Sequence, residues 1–279
     1  MSAGLTYLDP TLLAAPLAAG MLVLLTHVPL GIEVLRRGII FIDLAVAQVA
    51  ALGVTVAGLL DVEAALGGAG AQLAAGGAAL LAAAALTWSE RRWPQMQEAL
   101  IGLLFVLAAA GGILLLAGNP HGGEHLRDML AGQILWVGWP RLWPLALISL
   151  GVWGAWALLV RSATRGRAAF YALFALAVTA SVQLVGVLLV FASLIAPAVA
   201  SLAVSGRRRV LWAYSLGAAG YAAGLGLSLY LDLPAGATVV CCLCLIAAGG
   251  LCFSTPGEAE LYCPVPNKGS SENTAPDQW

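Results

Sequence analysis

The sequence predicts an all-α protein, a polytopic transmembrane helical bundle of about nine spans. Three observations lead there. Of 279 residues, 61% are hydrophobic and 10% are charged, whereas a soluble domain carries roughly 25% charged residues. The mean hydropathy is +0.93, so too little polar surface exists to cover the apolar surface in water. The apolar runs are also long and lack two-residue alternation. Only helices and closed barrels satisfy every backbone group in lipid, and runs of this kind are helical.

Arginine placement orders the spans. The chain has twelve arginines and one lysine, clustered between apolar runs. Positive residues stay on the cytoplasmic side. If Arg36–Arg37, Arg91–Arg92, Arg161/Arg165/Arg167 and Arg207–Arg209 all face that side, an even number of crossings separates each cluster from the next. One span, roughly 11–31, precedes Arg36. It has no basic segment before it and reads as a retained span rather than a cleaved leader. Residues 38–90 hold two spans joined outside near Asp61–Ala71. Residues 93–160 hold two more, joined outside by Asn119–Arg141. Residues 168–206 make a short hairpin turning near Gly186. Spans at 210–230 and 235–253, joined by Leu231–Pro234, complete nine, with the N-terminus outside and the C-terminus inside. Arg127 and Arg141 are the two arginines left outside. Residues 1–254 therefore read as one transmembrane domain. Residues 255–279, polar and proline-rich, read as a disordered cytoplasmic tail.

Several function classes are excluded. The chain has no G-x-x-x-x-G-K-[ST] phosphate loop, no G-x-S-x-G elbow and no H-E-x-x-H pair. It reads as a non-enzyme, with no soluble domain and no nucleic-acid partner. The three histidines fall near or outside the span ends. Cys241, Cys242, Cys244 and Cys252 share one apolar run and read as small buried hydrophobes, with a soft-metal site as the alternative.

Ionisable residues inside spans are expensive and mark function. Asp43 stands at the start of the second span, followed by Gln48. It is either a functional intramembrane carboxylate or a helix cap paired with Arg36 or Arg37. Glu33 reads as a solvated partner of those arginines, and Gln183 as interhelical glue. The outer stretch His121-Gly122-Gly123-Glu124-His125 carries imidazole and carboxylate groups that suit a divalent cation such as zinc. It reads either as a metal site or as an ordinary wet loop.

Three segments in order resemble the ABC-3 family of metal-importer permeases. The first is Pro29-Leu30-Gly31-Ile32-Glu33-Val34-Leu35-Arg36-Arg37, then Asp43, then Leu52-Gly53-Val54. The second is Leu130 to Val137. The third is Ser181-Val182-Gln183-Leu184-Val185-Gly186-Val187-Leu188-Leu189-Val190 with Ala192 to Ala198. The resemblance implies a type II ABC importer-like fold in the bacterial cytoplasmic membrane, working as a homodimer within membrane lipid. It implies a cytoplasmic ATP-binding subunit and an extracytoplasmic metal-binding protein as partners. No cofactor is implied, since a divalent metal would be cargo, zinc or manganese before iron. Asp43 is the metal contact expected on this basis, and His121, Glu124 and His125 are the outer contacts that their own side-chain chemistry suggests.

Residues 198–206 would form a short helix docking on the ATPase, with Pro197 in its first turn and Gly206 at its end. Pro197, Ala198, Ser201, Ser205, Arg207 and Arg208 are the expected coupling residues. The histidine that the family carries one turn after the aspartate is Ala47 here, and the acidic loop before the sixth span is cut to Arg161–Arg167. A secondary ion-coupled carrier and a membrane scaffold are the alternative readings. The carrier class usually shows internal repeats and midplane charges. No repeat is visible here, and Asp43 is its one charge of that kind.

Overall fold

The computed structural model describes residues 10–60, 69–117, 132, 134–159, 166–204 and 206–252. These contain nine helices. They are α1 (Pro10–Arg37), α2 (Ile42–Leu59), α3 (Ala69–Arg92), α4 (Gln97–Leu116), α5 (Trp139–Leu159), α6 (Gly166–Val185), α7 (Val187–Ala200), α8 (Arg207–Leu231) and α9 (Ala235–Cys252). Single 3-10 turns at Pro94–Met96 and Ile134–Trp136 introduce α4 and α5. Eight of the helices are long and apolar enough to cross a membrane, and α7 is a shorter apolar helix. The chain is a multi-pass membrane protein.

The bundle's interior is built from α1, α2, α6 and α7, whose Val, Leu, Ala and Phe side chains form one continuous core. α4 is peripheral: only Gln97, Ile101 and Ala108 of its residues are buried. Leu103, Leu107 and Leu114 of α4 point outward, as expected where lipid is the solvent. Small residues set the close crossings. A Cβ at Gly53 would lie 2.7 Å from Ala78 Cβ, so α2 and α3 touch backbone to backbone there. A Cβ at Gly31 would collide with the Leu194 carbonyl, which fixes α1 against α7.

Helix register supports the arginine parity. Gly20 faces Tyr221, Leu24 faces Gly217, and Leu25 accepts a hydrogen bond from the Tyr214 hydroxyl at 2.8 Å. Each step down α1 is matched by an opposite step along α8, so the two run antiparallel. Arg207 then falls level with Glu33 and Val34, at the same end as Arg36 and Arg37. Two further clusters meet that end: the Arg37 guanidinium lies 4.2 Å over the Phe170 ring, and Arg167 Nε lies 3.9 Å from Glu90 Oε1, next to Arg91.

Two expectations shift. α1 continues to Arg37 rather than stopping near residue 31. His27 thus lies ten residues, or about 15 Å, inside its inner end and is fully buried, rather than sitting at a span margin. Cys241, Cys244 and Cys252 are exposed rather than buried, on outward parts of α9. Among the described residues no group of three or more metal-binding side chains converges.

Candidate functional site

The site is assembled at the arginine-rich end, where α1 turns into α2. Gly38 makes that turn possible with φ +68, a left-handed conformation that costs glycine little. Gly38 N–H donates to Leu35 O at 3.2 Å and Ile39 N–H to Val34 O at 3.4 Å. This is the paired closure of a Schellman motif. Glu33 accepts from Arg36 at 2.7 Å and from Arg37 at 2.8 Å. Glu98 of α4 accepts from Phe41 N–H at 3.2 Å. Both arginines and the turn are therefore committed to partners before Asp43 is reached.

Asp43 sits in the first turn of α2 and is 0% exposed. Neither carboxylate oxygen has a hydrogen-bond partner. The helix cap position is Phe41, and no side chain caps it. The alternative in which Asp43 caps the helix or pairs with Arg36 or Arg37 is thereby removed, because Glu33 takes those arginines. A buried carboxylate without a partner is costly. The positive end of the α2 dipole is the one evident feature that favours its charge. Ala47, one turn on, is equally buried, so the position that carries histidine in the resembled family faces the bundle interior.

A second polar group ties the neighbouring helix ends together, and sequence reasoning did not single it out. Ser89 Oγ donates to Gln97 Oε1 at 2.8 Å, while Gln97 Nε2 donates to Leu86 O at 3.1 Å and to the Tyr171 hydroxyl at 3.2 Å. All three side chains are buried. The node locks α3, α4 and α6 beside the α1–α2 turn. Its only sequence signal was a glutamine one residue before a glutamate at a helix start.

α7 differs from expectation at its end. Pro197 lies inside the last turn of α7 rather than opening a separate helix, and after Ala200 residues 201–203 make turns. Gly206, at φ +68, precedes α8 instead of ending a helix. Pro197, Ala198 and Ser201 are buried, Arg208 is exposed, and Ser205 lies outside the described residues. Arg207 is the first residue of α8. Arg209, expected with Arg207 and Arg208 at the ATPase interface, is buried and reaches back with its guanidinium to Ala198 O at 3.3 Å. Ser201 Oγ donates to the same carbonyl at 3.1 Å. Both donate to one carbonyl that a helix end leaves open, and a cation there complements the helix dipole. A Cβ at Gly250 would lie 2.6 Å from Ala200 Cα, so the end of α9 backs onto the same junction. The ends of α7 and α9 and the start of α8 are therefore packed into one junction.

At the opposite end the α6–α7 turn is held inside the protein. α7 has 14 residues, about 21 Å, against a hydrocarbon core of about 30 Å. Its turn at Gly186, with φ +82, is consequently submerged, which is tolerated only where protein covers it. Val185 and Val187 are buried. Gly132, itself at φ +63, lies so close to the Val185 carbonyl and Gly186 nitrogen that a Cβ would collide with them. The sequence-predicted outer residues His121, Glu124 and His125 lie outside the described residues. Gln183 is exposed and lines a groove rather than bonding between helices.

The family model described as the ABC 3 transport family matches residues 9–166 and 162–254. The chain belongs to the ABC 3 transport family. As a family member it is a membrane transport subunit, not an enzyme, and ATP hydrolysis resides in a partner. The structure is similar to PsaBC from Streptococcus pneumoniae in complex with Fab, with a TM-score of 0.66 and 21% identity, over 91% of this chain and 95% of that chain. At that identity the likeness speaks for the fold, a polytopic helical bundle. No curated protein matches the sequence significantly. Within this ABC 3 member, the submerged α6–α7 turn falls in the segments that carried the resemblance, as do Pro197 and Ala198 at the end of α7.

Proposed function

We infer that this chain is the permease of an ABC importer for a divalent metal cation, zinc or manganese before iron, in a bacterial cytoplasmic membrane. The observation that carries the reading is Asp43, a fully buried carboxylate with two unpartnered oxygens in a transport-family bundle. Such a group is retained for a ligand that comes and goes. A single carboxylate gives a weak contact, which suits an ion that must be released.

In this reading two copies of the chain form the membrane unit, each with a cytoplasmic ATP-binding subunit. An extracytoplasmic metal-binding protein delivers the ion near residues 119–141, where His121, Glu124 and His125 offer transient ligands. The ion then passes Asp43. ATP binding in the partner is transmitted through the α7–α8–α9 junction, with Arg208 on the exposed side and Arg209 holding the end of α7. Ala47 leaves the passage without an imidazole beside Asp43, so carboxylate and water oxygens supply more of the coordination.

Co-purification tests the class. The detergent-solubilised chain should retain a nucleotide-binding subunit and should run as a complex containing two copies of the permease. A chain that never associates with an ATPase under these conditions would refute the importer reading and leave the secondary carrier and the membrane scaffold.

A further inference from the structure

A groove of about 560 Å³ opens between α3, α5 and α6. Its rim carries Gln72 in the first turn of α3, Arg141 in the first turn of α5 and Gln183 in the last turn of α6. All three lie at the end opposite the arginine clusters, hence on the outer side. Below the rim the lining is apolar: Pro144, Leu145, Ile148, Ala180 and Leu184. Arg141 to Ile148 spans about 10 Å of helix. The exposed Trp136, Trp139 and Trp143 lie within five residues of Arg141 along the chain, and tryptophans favour the depth of lipid headgroups.

Three features decide what fits. The groove is polar at the water level and apolar below, and its volume lies within the roughly 300–1,000 Å³ of small-molecule sites. Arg141 is exposed, and no carboxylate pairs with it among the described residues. The outer halves of α3, α5 and α6 contain no acidic residue. A guanidinium at the mouth repels a cationic cargo, while its planar fork matches a phosphate.

We propose that this groove is a binding site for one anionic phospholipid of the outer leaflet, with its phosphate on Arg141, its glycerol region on Gln72 and Gln183, and one acyl chain against Leu145, Ile148 and Ala180. The test is native mass spectrometry of the full-length protein in mild detergent, with phosphatidylglycerol and phosphatidylethanolamine supplied in equal amounts. One phosphatidylglycerol per chain should be retained, preferred by roughly tenfold, because phosphatidylethanolamine carries, beside the same phosphate, an ammonium that the Arg141 guanidinium repels. Arg141→Gln should abolish that preference, Arg141→Lys should keep part of it, and Ala180→Trp should displace the lipid by filling the groove. Unchanged lipid retention in Arg141→Gln and Ala180→Trp overturns the proposal. So does an Ala180→Trp protein that changes oligomeric state with its lipid intact, since the groove would then seat another copy. An Arg141→Gln protein that keeps its lipid but loses an extracytoplasmic protein partner also overturns it.

Discussion

Removing the Asp43 carboxyl separates a functional group from a structural one. In Asp43→Ala the bundle loses two buried oxygens that have no hydrogen-bond partner. Each unsatisfied buried polar group costs about 1–3 kcal/mol, so their removal favours folding. The methyl that remains leaves a small void where the carboxyl stood, and deleted contacts of that size cost about 1 kcal/mol. The balance is a stability unchanged or raised by up to about 2 kcal/mol, a shift of a few degrees for a chain of this size. A partnered buried carboxylate would behave oppositely, because removing one member of a buried pair costs about 3–5 kcal/mol. The assay is the apparent melting midpoint of the detergent-purified protein, read beside metal uptake by cells relying on this transporter. The expected outcome is an equal or higher midpoint with uptake lost. A midpoint lowered by ten degrees or more would show that Asp43 serves the fold, and the argument for a cargo contact would fail.

Other perturbations follow from the packing. Gly31→Ala drives a methyl into the Leu194 carbonyl and should destabilise the protein by about 1–3 kcal/mol. Gly226→Ala, with nothing within 4 Å of the new methyl, should be neutral or stabilising by up to about 1 kcal/mol; midpoints of the two variants check the contrast. Gln97→Leu removes the amide that joins Ser89, Leu86 and Tyr171, and orphaned buried groups should cost about 1–3 kcal/mol. Arg209→Ala takes a cation from the end of α7, a loss of about 0.5–2 kcal/mol at a helix C-terminus. Beyond that stability change it should weaken retention of the ATP-binding subunit in pull-downs.

The span plan was legible because arginine clusters and apolar runs act over whole segments. The hairpin turning at Gly186 and the joint near Leu231–Pro234 came from that pattern directly. Boundaries set by tertiary packing were not legible. α1 runs on to Arg37 because Gly38 closes it and Glu33 holds its last arginines, and no hydropathy window registers that. His27 consequently looked marginal when it is buried mid-helix. The resemblance suggested a helix opening at Pro197, which proline's local preference allows, yet its place inside α7 follows from the packing of α7 on α1 and α9. Asp43 was visible as an ionisable residue at the margin of a span. Its isolation became clear only when Glu33 was seen to occupy both neighbouring arginines. Gln97, Ser89 and Tyr171 lie far apart in sequence, and no spacing rule links them.

The most direct measurement is metal accumulation by proteoliposomes containing this chain, its ATP-binding subunit and the extracytoplasmic delivery protein. Zinc or manganese should accumulate only when ATP is supplied on the cytoplasmic side, and Asp43→Ala should reduce accumulation to the level without ATP. Accumulation that proceeds without the ATPase, or that is unchanged in Asp43→Ala, would contradict the account.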